Sequence, residues 1–192
     1  MITLSALNQF LEEYLFFDKK LDIAKIDPYM TNGLMVRGKE RVKKIGFGVS
    51  ASLALFEKAR SIQCDTLIVH HSFNFPPFNR HDEIFQNRFG FLIKNELSLF
   101  GYHFLLDAHP EAGNNVEILR AIGAKPTEQF FHHGSPWGWI GELKENCDLS
   151  GIEGKLKTYQ SPRSVIYRSG IQSIKRVVAI SGKGAPIASD IQ

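Results

Sequence analysis

Residues 42–71, VKKIGFGVSASLALFEKARSIQCDTLIVHH, decide the fold. Val42 to Val49 reads as a strand, and Ser50 follows it as a candidate N-cap for a helix that carries Leu53, Phe56, Ala59 and Ile62. Thr66 to Val69 is a second apolar strand. Strand, helix and strand within about 30 residues is the pattern of a right-handed β-α-β unit. Its parallel strands are buried on both faces and so lose polar alternation. His70 and His71 then stand at the carboxyl end of a parallel strand, where open α/β sheets place their ligands.

Upstream, Leu7, Phe10, Leu11, Tyr14 and Leu15 fall at helical spacing, Asp27-Pro28 reads as a turn, and Asn32-Gly33 reads as a turn or, on a sharper reading, as a cleft wall. Downstream, Ser72 to His81 is a proline-containing loop, Ile84 to Glu96 a helix, and Leu99 to Leu106 a third apolar strand. Asn114 with Glu117 has the spacing of a capping box, and Gly123 suits a helix end. Past Pro126 the texture changes. HHGSPWGWIGEL reads as a turn and an edge strand, Ser150 with Glu153 as a helix cap, and Arg176 to Ile180 as a final strand running into Ser181-Gly182-Lys183-Gly184. That glycine-rich end lacks the P-loop spacing, and only IASDIQ follows Pro186.

Composition removes several function classes. A chain of 192 residues, 43% hydrophobic with 15 phenylalanines, can bury a core and does not read as disordered. Cys64 and Cys147 stand far apart, so neither a disulfide framework nor a thiolate zinc site is indicated, and a reducing cytoplasm is the expected location. The N-terminus carries Glu12 and Glu13 among its apolar residues and does not resemble a signal peptide; no window is apolar enough to span a membrane. The net charge of +3 is mild, and the basic run at 37–44 has no interleaved aromatic residues, so it reads as a solvated turn rather than a nucleic-acid patch.

Seven histidines include two adjacent pairs. His132-His133 lies between glycine and proline signals without a close carboxylate and reads as a surface loop. His70-His71 reads equally as a metal site or as the polar end of a strand hydrogen-bonded to nearby backbone. Successive strand side chains point to opposite faces, so two ions are easier to serve than one. The next strand shifts the balance. His103 and Asp107 stand four apart at its end, beside the histidine pair if the strands are neighbours. Imidazoles with a carboxylate suit zinc, iron or manganese, and a carboxylate such as Asp107 can bridge two cations. His109 and Glu111 could hold those ligands in place but read more simply as polar loop residues.

TNGLMVRGKE, VKKIGFGVSASLALFEKA, DTLIVHH and above all GYHFLLDAHPEAGNNVEILRAIGA together resemble the NIF-three-like dinuclear metal centre proteins, a family often described as type 2 GTP cyclohydrolase I, in its compact bacterial form. The resemblance covers most of residues 1–125 and, more loosely, PWGWIGEL and RVVAISGKGA. It implies a three-layer α/β fold with a mixed sheet and two similar lobes, assembled as a homohexameric ring. The N-terminal α/β lobe would span 1–125 and carry His70, His71 and Asp107; residues 126–192 would form a partial second lobe. The family's metal ligands match His70 and His71, its bridging aspartate matches Asp107, and a further site histidine matches His103, which would orient or deprotonate water. Where the family has His-Thr-Asn-Leu-Asp, this chain has His103-Phe104-Leu105-Leu106-Asp107, a more apolar middle.

The family completes its site with a histidine and, four residues later, a glutamate on the second lobe, and no His-x-x-x-Glu occurs in this sequence. Truncation is the expectation, against completion by another polypeptide or a degenerate site. The function implied is a hydrolase using two divalent metal ions on a small molecule; the alternative is a non-catalytic, ring-forming metal-binding scaffold or regulator. Nucleic-acid binding through the ring is a third, weaker reading.

Overall fold

The computed structural model describes residues 1–30, 32–73, 81–157, 159, 165–168, 170 and 172–182. Most of the proline-containing loop, Lys183-Gly184 and the IASDIQ end lie outside them. The chain divides into two compact units, Met1–Leu106 and Asp107–Gln192.

In the first unit, β1 (Ile2–Thr3) leads into α1 (Leu4–Leu15), capped by the Thr3 hydroxyl accepting from the Ala6 amide. Leu4, Leu7, Leu11 and Leu15 are buried, whereas Phe10 and Tyr14, expected on the same face, are exposed and stack on each other at 5.8 Å. The short α2 (Ile23–Ile26) precedes β2 (Asn32–Val36). Asn32-Gly33 is therefore the start of a strand rather than a turn; Gly33, at φ +147°, supplies the unusual backbone there. The expected strand from Val42 is two pieces, β3 (Arg41–Val42) and β4 (Ile45–Ser50).

Next come α3 (Leu53–Ser61), β5 (Thr66–His71), α4 (Glu83–Lys94) and β6 (Ser98–Tyr102). The sheet order is β2-β6-β5-β4. The strands β4, β5 and β6 run parallel, as two β-α-β units demand, while β2 pairs antiparallel with β6. The sheet is thus mixed. Leu67, Val69 and Leu99 pack with Phe56 and Ala59 of α3 and Leu92 of α4 in one buried cluster. On β4, a side chain at Gly48 would come within 2.5 Å of Leu55, so glycine lets α3 lie close to the strand. The residues that alternate with it, Phe47 and Val49, are 77% and 67% exposed.

Leu99–Leu106 was expected to be one strand; β6 ends at Tyr102, and α5 (Phe104–Ala108) follows. In the second unit, α6 (Asn114–Ala121) precedes an antiparallel sheet of β7 (Ala124–His132), β8 (Ser135–Cys147) and β9 (Ile174–Ile180), with α7 (Leu149–Leu156) between the last two. The core joins Leu119, Ile122, Leu143, Ile152 and Ala179. The strand expected at the edge, β8, is central. Pro126 lies on the edge strand β7, where a missing N–H is tolerated. His133 (φ +51°) and Gly134 (φ +75°) are both left-handed between paired His132 and Ser135, which is what a two-residue hairpin turn requires. Among the described residues no helix is long and apolar enough to cross a membrane.

Two predictions concern the first unit. Tyr102 is wholly buried, and its hydroxyl meets no hydrogen-bond partner among the described residues. Burial, and secondarily the charge of Glu12, pushes its phenol well above the usual range. Tyr102→Phe removes an unpaired buried O–H and should raise unfolding stability by about 1 kcal/mol in denaturant titration; a loss of stability would show that the hydroxyl is paired. Glu40 accepts from the Ser5 amide at the start of α1 and from Arg37. Its carboxyl is lowered chiefly by hydrogen bonds from Ser5, then by Arg37. The linked stability is present above the ordinary glutamate range and is lost as pH falls through the lowered value. Carboxyl NMR titration should show Glu40 protonating below the other glutamates.

Candidate metal centre

The tips of β5 and β6 build the site. His71 is the last residue of β5 and pairs with Ser50, the last residue of β4. Although the pleat directs His70 and His71 to opposite faces, the strand ends there, and their ring centroids are 4.5 Å apart. His103 stands just past β6, 4.8 Å from the His70 ring and 5.6 Å from that of His71. One ring nitrogen from each of the three lies within 4.8 Å of the others. In a tetrahedral zinc site with bonds of about 2.0–2.1 Å, ligand nitrogens stand roughly 3.3 Å apart, so rings at this spacing would close in on a shared ion.

The partners of these rings assign their protons. His70 Nδ1 is 3.0 Å from the Tyr102 carbonyl. A carbonyl only accepts, so Nδ1 donates and, in a neutral ring, the lone pair is on Nε2. His103 Nδ1 is 2.8 Å from Asp27 Oδ2, another acceptor. His71 Nδ1 is 3.3 Å from the Ser50 hydroxyl, which can play either part. The bland reading of the pair, a hydrogen bond to nearby backbone, is true of His70 and is also what orients a metal-ligating imidazole.

Why β6 stops at Tyr102 is visible in the same contacts. Asn32 Oδ1 accepts from the backbone amides of His103 (3.0 Å) and Leu105 (3.1 Å), and Asp27 Oδ2 from that of Phe104 (3.3 Å). Three donors at the start of α5 are met by two side chains from more than 70 residues upstream, a cap that no local pattern reveals.

In the second unit, Asp107 is completely buried on α5. Its Oδ1 accepts from Asn114 Nδ2 at 2.8 Å and from the Ser181 hydroxyl at 2.6 Å. Asn114 therefore does not form the expected capping box: α6 begins after Gly113 without a side-chain cap. Ser50 likewise attends His71, and Ser52 caps α3 in its place. Asp148, not Ser150, caps α7. His109 Nδ1 accepts from the amides of Glu111 (3.1 Å) and Ala112 (3.0 Å), so it organises a turn, as a polar loop residue does. His132 is buried at the end of β7, and His133 forms the hairpin turn beside it. The sequence reading missed Asp27 beside His103 and Ser181 beside Asp107; Asn32 it read as a turn or as a cleft wall.

The model of the family Duf34/NIF3 (NGG1p interacting factor 3) matches residues 8–192. The chain belongs to that family. A relative from Pyrococcus abyssi, named GTP cyclohydrolase 1 type 2 homolog, is 37% identical over 172 residues, covering 88% of this chain and 68% of the relative. The solved structure of protein ybgI, described as of unknown function, superposes on this Duf34/NIF3 chain with a TM-score of 0.79 at 30% identity, covering 95% of this chain and 71% of that one. Reduced HcgD from Methanocaldococcus jannaschii shares the fold, with a TM-score of 0.78 at 19% identity over 99% of this chain and 73% of that one. The mixed α/β architecture and the family expected from the sequence are thus both found.

One prediction follows from the shared cap. Asn32→Ala leaves two amides at the start of α5 without their acceptor and should cost about 2 kcal/mol in chemical denaturation. An unchanged midpoint would mean that solvent serves those amides equally well.

Proposed function

We propose that this chain is a metal-dependent hydrolase whose site holds two divalent cations, with His70, His71 and Asp107 as ligands. The carrying observation is the trio of imidazoles whose donor nitrogens lie within 4.8 Å, two of them with Nδ1 committed to acceptor-only oxygens. His103 is included in the ligand set on that spacing. A role in orienting water, expected from the sequence, would draw on the same Nε2 lone pair. Asp107 is included on its family motif and its burial, because a fully buried carboxylate is sustained by hydrogen bonds or by cations.

Divalent cations held by these residues would supply Lewis acidity and bring the ionisation of water toward neutral pH. The chain's own part is orientation. The Tyr102 carbonyl and the Asp27 carboxylate hold protons on Nδ1 of His70 and His103, so each Nε2 can donate an electron pair. Asn114 and Ser181 both donate to Oδ1 of Asp107 and fix the plane of its carboxylate. The name borne by the Pyrococcus relative supports hydrolysis as the reaction class.

Protein purified without chelator should carry about two ions per protomer by elemental mass spectrometry, as a two-metal site requires. His70→Ala and Asp107→Ala should each lose them. A folded wild type free of metal after exposure to zinc, iron and manganese would sink the reading.

A further inference from the structure

We infer that Asp27 is a positioning residue of the metal site: its carboxylate locks the His103 imidazole in the tautomer whose Nε2 can bind a cation. The inference rests on the metal reading above and deepens it.

Asp27 is 8% exposed, and among the described residues no lysine or arginine pairs with it. A buried carboxylate without a cationic partner is costly unless its oxygens are used. Here one oxygen, Oδ2, takes the Nδ1 proton of His103 at 2.8 Å and the Phe104 amide at 3.3 Å, with Asn32 Nδ2 at 3.4 Å. The atom that orients the ring thus also grips the backbone next to it. Asn32 Oδ1 holds the His103 amide itself at 3.0 Å. Ring and main chain are restrained together, which leaves the imidazole little freedom to turn its other nitrogen away.

The delivery of Asp27 points the same way. It ends α2, a four-residue helix with no buried side chain, capped in front by Asp22 accepting from the Lys25 amide. Such a helix contributes little packing of its own. What it presents is one buried carboxylate. The other histidines offer an internal contrast. His109, which serves a turn, uses Nδ1 as an acceptor of two amides, whereas His70 and His103, in the cluster, use Nδ1 against oxygen acceptors. A carboxylate needed only to cap α5 would have no reason to take the ring proton as its shortest contact.

The test uses the full chain with two readouts. Long-range 1H–15N correlation spectra of the metal-free protein report the His103 tautomer, and calorimetric titration with Zn2+ reports affinity. Wild type should show His103 protonated on Nδ1. In Asp27→Ala the signals should move toward the Nε2-protonated form, and Zn2+ should bind about 10- to 100-fold more weakly. Asp27→Asn, which keeps an acceptor oxygen without the charge, should weaken binding less while the unfolding midpoint of the metal-free protein stays at the wild-type value. If Asp27→Ala does not fold, Asp27→Asn carries both measurements. Wild-type Zn2+ affinity and an unchanged tautomer in the folded variants would overturn the inference and leave Asp27 as a helix cap. A wild type that binds no Zn2+ would overturn the metal reading and this inference with it.

Discussion

The end of β6 poses the problem around which the first unit is organised. The chain leaves the sheet at Tyr102 and enters α5 at Phe104, so the amides of His103, Phe104 and Leu105 lack partners from either element. Asn32 and Asp27 answer it, and they can do so because β2 is antiparallel. An antiparallel neighbour begins where β6 ends, with Asn32 opposite Tyr102, which brings both Asn32 and the segment before it to the carboxyl tip. A parallel strand in that place would present its own carboxyl end instead. The one reversed strand is therefore what sets two oxygen acceptors beside His103.

The same economy appears around His71 and around Asp107. Ser50 and Asn114 both have the chemistry and the position of helix caps, and each is instead turned toward a histidine or an aspartate. The displaced duty falls to Ser52 for α3, while α6 begins after Gly113 without a side-chain cap. At α3 and α6 the pattern reading misplaces the cap because the polar side chain is engaged by His71 or by Asp107; at α7 Asp148 caps in place of Ser150 without any such engagement being needed to explain it.

This accounts for what could be read in advance. The β-α-β core of residues 45–71 was legible because hydrophobic runs, spacing and a serine before the helix are all local signals. So was the position of His70-His71 at a strand tip, which follows from strand direction alone. The third strand was overrun because apolar Phe104, Leu105 and Leu106 fit a buried helix as well as a strand, and the deciding hydrogen bonds come from residues 27 and 32. Asp27-Pro28 offered only a turn signal. Beyond Pro126, the central place of β8 depends on β9, whose residues pair with it from 27 to 42 positions away, and the bulges of β7 blur its alternation.

The separation of these partners also bears on when the site can form. Asp27 and His103 are 76 residues apart, and Asn32 and His103 are 71 apart, so their contacts close long loops. His70 and His71, by contrast, belong to a strand that pairs across a single helix. A growing chain can form β4, α3 and β5 and display both imidazoles well before the third is aimed. Only when β2 docks against β6 does His103 acquire its partners. Affinity for a cation that needs all three rings would then register completion of the first sheet, discriminating a finished chain from a half-folded one.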